Sequence, residues 1–161
     1  MNITSIKQTS LKAAALVAAL SAATAGANSF GGSVGSGVSV HYQIDRTATT
    51  AIRYGLDLNA VNFNFGALSL GGTVDYLQNF SGSTLGVFVP YYGFGLGAGI
   101  RLGDNTGVSL YPHGLLGLKY NITGPWSVFG EVNAGISVGI GSGSNFSFGS
   151  GARIGVNYRI N

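Results

Sequence analysis

The sequence predicts an all-β chain: an antiparallel up-and-down β-barrel that crosses a membrane, preceded by a cleaved leader. Three observations predict it. From residue 33 onward the bulky apolar residues fall mostly at even positions, while the charges fall almost entirely at odd ones. Successive side chains of a strand point to opposite faces, so each segment has one greasy face and one polar or glycine face. Charged residues are only 8% of the chain, against roughly 25% in ordinary soluble domains. Finally, no apolar run reaches the roughly 18 residues of a membrane helix, so crossing falls to strands.

The first 27 residues read as a secretory signal peptide. Lys7 and Lys12 form a positive region, Ala13 to Ala23 an apolar stretch too short to span, and Ala25-Gly26-Ala27 a small-residue cleavage site. The barrel is assigned to residues 28–161. It keeps the basic residues Arg46, Arg53, Arg101, Lys119, Arg153 and Arg159 and the acidic residues Asp45, Asp57, Asp75, Asp104 and Glu131. There is no basic cluster for nucleic acid. There is also no cysteine, so an exported chain of this size must be stabilised without disulfides.

Seven strands follow from the alternation. The first covers Val34 to Ile44, with Val38, Val40 and Tyr42 opposing Ser39, His41 and Gln43. Asp45-Arg46-Thr47 turns the chain. The second runs from Thr50 to Leu58, with Arg53 and Asp57 on its polar face. Asn59 to Phe65 shifts the apolar residues to odd positions and reads as a loop or bulged end. The third is Ala67 to Leu77, carrying Asp75. The fourth is Leu85 to Leu102, out of phase at its start, with Pro90 marking a bulge or an edge-like entry and Gly93, Gly95, Gly97, Gly99 and Arg101 on one face. Asp104 to Gly107 is a turn signal. The fifth is Val108 to Tyr120, with His113 and Lys119 on its polar face. The sixth is Trp126 to Ile140, with Glu131. After a Gly141 to Asn145 loop the seventh is Phe146 to Ile160, with Arg153.

Eight charges within strands are all odd-numbered: Arg53, Asp57, Asp75, Arg101, Lys119, Glu131, Arg153 and Arg159. A charge facing lipid near the midplane costs about 2–4 kcal/mol. Lipid exposure of the even face therefore places the charges in the lumen, where they must pair. Arg53, Asp57, Asp75, Arg101, His113, Lys119, Glu131 and Arg153 form the expected polar network, for example Arg53 or Arg101 with Asp75 or Asp57. An eight-stranded barrel is barely wide enough for its own side chains, so glycines 93 to 99 leave room for Tyr111, His113 and Phe129. Tyr42, Tyr76, Tyr120, Trp126, Phe146 and Tyr158, near strand ends, suit interfacial girdles.

No catalytic, metal or cofactor constellation emerges. Ser109, His113 and Glu131 share a face, but Ser109 and His113 lie about 13 Å apart along a strand. Two histidines without cysteine do not make a zinc site. The glycine series lacks the spacing of a phosphate loop.

Pro90-Tyr91-Tyr92-Gly93-Phe94-Gly95-Leu96-Gly97, Gly114-Leu115-Leu116-Gly117-Leu118-Lys119-Tyr120 and the final Gly151 to Ile160 segment resemble the small eight-stranded outer-membrane barrels, the OmpA-like, OmpX-like, opacity and OmpW-like superfamily. The short loops and neutral glycine-rich strands look like those of Deinococcus-type members. The resemblance implies a bacterial outer-membrane location, a lipid bilayer around the wall, and a last strand read by the barrel-assembly machinery. The residues themselves read as a structural or envelope-associated role, without enzymatic activity. The alternatives are a narrow pore or small apolar-molecule conduit, and, from another class, a soluble secreted β-barrel or sandwich binding protein. The chain departs from the family by ending Tyr158-Arg159-Ile160-Asn161 rather than in an aromatic residue. Bacterial barrels have even strand numbers, so eight strands are expected where seven are read. The eighth comes from Asn59 to Phe65, from residues 28–37, or from a second chain, which leaves homo-oligomers open.

Overall fold

The computed structural model describes residues 27–60, 68–80, 82, 85–101, 107–140 and 145–160. Residues 1–26 of the leader lie outside these residues, as do Val61 to Phe65, Ala67, Leu102, the Asp104 to Thr106 turn and Gly141 to Ser144 of the last loop. Eight strands run in chain order: β1 Asn28–Gly35, β2 Val38–Asp45, β3 Thr50–Ala60, β4 Leu68–Asn79, β5 Phe88–Arg101, β6 Gly107–Asn121, β7 Trp126–Ile140 and β8 Asn145–Ile160. Each pairs antiparallel with its neighbour, and β1 pairs with β8 to close the barrel.

The eighth strand is β1, so residues 28–37 supply it. The stretch Val34 to Ile44 is not one strand. It contains a hairpin whose tip is Ser36-Gly37, with Val34 opposite Val38. The Gly35 amide donates to the Gly37 carbonyl at 3.0 Å.

At its other end the fourth predicted strand begins later than expected, at Phe88. Gly86 takes a left-handed φ of 65°, which turns Leu85 and Val87 out of the ladder. No bulge forms at Pro90, which pairs regularly with Leu118. Its carbonyl accepts from the Phe80 amide at 3.0 Å, just beyond the end of β4. The N–H that proline lacks would face the same way, so its absence breaks no bond between β4 and β5. Pro112 has a visible effect instead: the β6–β7 ladder lapses at Tyr111 and Pro112.

Every ladder pairs odd residues with odd and even with even, as in Arg53 with Asp75 and Glu131 with Arg153. The alternation is thereby carried unbroken round the circle. The result is a barrel with its polarity inverted. The buried hydrophobics among the described residues are Ile44, Ala51, Leu77, Tyr91, Leu115 and Phe129. The buried polar residues include Ser29, Ser33, Ser39, His41, Gln43, Arg53, Asp75, Glu131 and Asn157. The outer wall is aliphatic and aromatic, with Leu56 63% and Phe94 64% exposed. The start of β1, the end of β8, the 46–49 and 122–125 turns, the end of β4 and the start of β5 share one end of the barrel, here the terminal end. The hairpin tip at Ser36-Gly37 faces the far end. Exposed Tyr42, Tyr76, Trp126 and Tyr158 gather toward the terminal end, where Trp126 and Tyr158 pack edge to face at 5.0 Å.

Candidate functional site

The middle of the lumen holds a cluster of charges from five strands. Glu131 on β7 is its hub. Glu131 Oε2 accepts from Arg53 Nη1 of β3 at 2.8 Å and from the Tyr91 hydroxyl of β5 at 2.8 Å. Its other oxygen, Oε1, accepts from Arg153 of β8. Arg153 also reaches Asp75 Oδ2 of β4 at 3.3 Å. His113 Nε2 of β6 lies 3.2 Å from Asp75 Oδ1, with its Nδ1 3.0 Å from the Tyr111 carbonyl. Two arginines and two carboxylates thus balance across the lumen, with His113 beside them. Arg53 is 2% and Asp75 0% exposed. Charges removed from water to this degree persist only when paired and hydrogen-bonded.

Missing side chains make the cluster possible. A Cβ on Gly95 would lie 2.6 Å from His113 Cε1, and one on Gly117 would lie 2.5 Å from the Tyr91 hydroxyl. Aromatic rings close the layer toward the terminal end. The Arg53 guanidinium lies 5.1 Å from the Phe129 ring centre, a cation–π geometry, and His41 meets the same ring edge-on at 5.6 Å. His41 Nε2 contacts Asn157 Oδ1 at 2.6 Å. Below them Ala51, Leu77, Tyr91 and Leu115 form an apolar plug.

The eight residues named from sequence thus divide. Arg53, Asp75, His113, Glu131 and Arg153 meet in the cluster. Asp57 stands in the wall of a cavity on the far side. Lys119 lies toward the terminal end, where it lines a small void with Gln43 and Asn157. Arg101 ends β5, opposite Ser69 and Gly107, and its side chain is outside the described residues.

The pairing of Arg53 differs from the examples drawn from sequence, while that of Arg101 lies outside the described residues. Arg53 is the ladder partner of Asp75, yet its side chain crosses the lumen to Glu131. Neighbours on one strand pair project side by side, while residues on opposite walls of a narrow barrel point at each other. Tyr91 is the member that sequence reasoning missed. Its odd number was the available signal, obscured by the out-of-phase residues before Pro90.

No family model and no curated protein sequence matches the chain. Its likeness to solved structures is one of fold. The N-terminal β-barrel domain of OprF from Pseudomonas aeruginosa superposes with a TM-score of 0.57 at 16% identity, covering 83% of this chain and 96% of that one. Neisserial surface protein A (NspA) superposes with a TM-score of 0.54 at 15% identity, covering 83% of this chain and 94% of that one.

Proposed function

We propose that the chain is an integral protein of the bacterial outer membrane with a structural role in the envelope, its lumen closed by the central charge cluster. The observation that carries this reading is the inverted polarity: charges buried within, and an unbroken apolar wall without. Such a wall is stable when lipid covers it, and a closed barrel leaves no backbone edge to satisfy there. In this reading residues 1–27 are a leader removed before Asn28, where β1 begins. The barrel-assembly machinery reads β8, and no reaction is catalysed.

The closed lumen favours a structural role over a pore. Beyond the cluster, the void on the terminal side measures only about 30 Å³, room for a few waters at most. The test is membrane fractionation followed by urea extraction, with SDS gels of unboiled and boiled samples. The expected protein resists urea and shifts on boiling. A urea-soluble protein with no shift would overturn the membrane reading and favour a soluble exported binder. In planar bilayers the expected outcome is the absence of steady porin-scale currents. Such currents would replace the structural role with a conducting one.

A further inference from the structure

The far half of the lumen has a character of its own. Above the charge cluster lies a cavity of about 250 Å³, below the roughly 300–1,000 Å³ of pockets for drug-sized ligands. Its floor is Arg153 and His113, whose nitrogens are turned toward Asp75 and Glu131. Its wall carries Asp57, which stands outside the ion pairs of the cluster and faces the Thr73 hydroxyl, with Arg153 the nearest source of positive charge. The Thr73 hydroxyl oxygen is buried. A Cβ on Gly55 would collide with that oxygen and lie 3.9 Å from Asp57 Oδ2, so both groups front the same space. Ser39 stands beside them, its hydroxyl shared with Ser33 at 2.6 Å. Tyr111 and His113 stack at 4.9 Å with only 13° between their planes, offering aromatic surface to the cavity.

An ammonium group brings several N–H donors and one positive charge, and it is attracted to aromatic faces. The cavity holds the complement: a carboxylate outside the ion-pair cluster, the Thr73 hydroxyl beside it, further acceptors and two rings. We propose that this cavity binds a small organic ammonium ion, with Asp57 as counter-charge and Thr73, Ser39 and Tyr111 as its hydrogen-bonding and packing partners.

The ammonium group has two candidate sources. One is a soluble amine. The other is a lipid head entering laterally, which rests on the membrane reading above. The last β1–β8 pair is Gly35 with Arg153, so residues Asn145 to Ala152 of β8 run on without a β1 partner. Eight residues span about 26 Å of strand. The wall is correspondingly low above Ser36-Gly37, which themselves line the cavity. Ser147, an inward-facing residue, is exposed there. Phe146 and Phe148, 75% and 76% exposed, flank the gap outside. A lipid with an amine headgroup would enter on this side.

The experiment follows backbone and Tyr111 resonances by NMR in the full folded barrel, in detergent micelles. Ethylammonium chloride is titrated against sodium chloride at equal ionic strength. Saturable shifts at Gly55, Gly97 and Gly99 with ethylammonium alone are expected. Asp57→Asn should weaken them at least about tenfold and Thr73→Val a few-fold, with both variants keeping the gel shift of a folded barrel. Nanodiscs of phosphatidylethanolamine and of phosphatidylglycerol then identify the source. Shifts already present in the first, without added amine, assign the site to a lipid head. Identical spectra that respond only to ethylammonium assign it to a soluble amine. Equal shifts with both salts, or an Asp57→Asn barrel that titrates like the parent, would overturn the proposal.

Discussion

Glu131→Gln removes one negative charge from the centre of the barrel while keeping the side chain's shape and one acceptor oxygen. Arg153 would keep Asp75, while Arg53, whose ion-pair partner is Glu131, would lose its counter-charge where it is too deeply buried to recover hydration. Removing one partner from a buried ion pair costs about 3–5 kcal/mol. With a urea dependence of about 2 kcal/mol per molar, the unfolding midpoint should fall by about 1.5–2.5 M. The assay is equilibrium unfolding in lipid vesicles, read as the fraction that migrates as folded barrel without boiling. Arg159→Gln, an exposed site at the barrel's end, serves as control and should stay within about 0.5 kcal/mol of the parent. The double variant Arg53→Gln/Glu131→Gln restores charge balance. It should therefore cost less than the sum of its single changes. A Glu131→Gln midpoint within about 0.25 M of the parent, or strictly additive losses, would refute the claim that this cluster acts as a coupled unit.

Other outcomes follow from the same geometry. Gly117→Ala forces the new methyl against Tyr91 and should cost about 1–3 kcal/mol in the same assay, while Gly114→Ala, whose nearest neighbour would be 3.9 Å away, should be near neutral. Leu56→Arg on the outer wall should cost about 2–4 kcal/mol in vesicles if lipid covers that wall; a costless substitution would argue against membrane burial. Raising salt from about 0.05 to about 0.5 M should leave the midpoint almost unchanged, because buried pairs are screened far less than exposed ones. A large loss of stability with salt would place the stabilising charges at the surface instead.

The barrel was legible in the sequence because one rule, alternation, governs the whole wall. The hairpin at Ser36-Gly37 was hidden by that same rule. A two-residue turn preserves odd and even, so Val34 and Val38 remain on one face and the two strands read as one. The membership of the charge cluster was legible for a similar reason, since parity sends Arg53, Asp75, Glu131 and Arg153 inward together. Their partners were not. Which inward residues meet depends on the stagger between strands, and on reach across the lumen, neither of which leaves a local mark. Asp57 has the same parity as Asp75 yet stands apart, because it lies two residues beyond Gly55 along β3, toward the far end.

The seam between β1 and β8 has a consequence for how the molecule comes into being. Val34 meets Ile154 there, and the chain between them must be brought full circle before a single bond of that ladder can form. For a loop of this length the entropic cost scales to about 4 kcal/mol beyond a constant. Until it is met, the growing sheet carries two raw borders, Phe30 and Val34 along one and Ile154 and Tyr158 along the other. Arg153, at the seam itself, is also the residue that joins Glu131 to Asp75. The final strand therefore does two things at once: it shuts the wall and delivers the positive charge that the two carboxylates await. Circularity and neutrality arrive in the same step, which makes an unclosed sheet doubly unfavourable and the closed one hard to reopen.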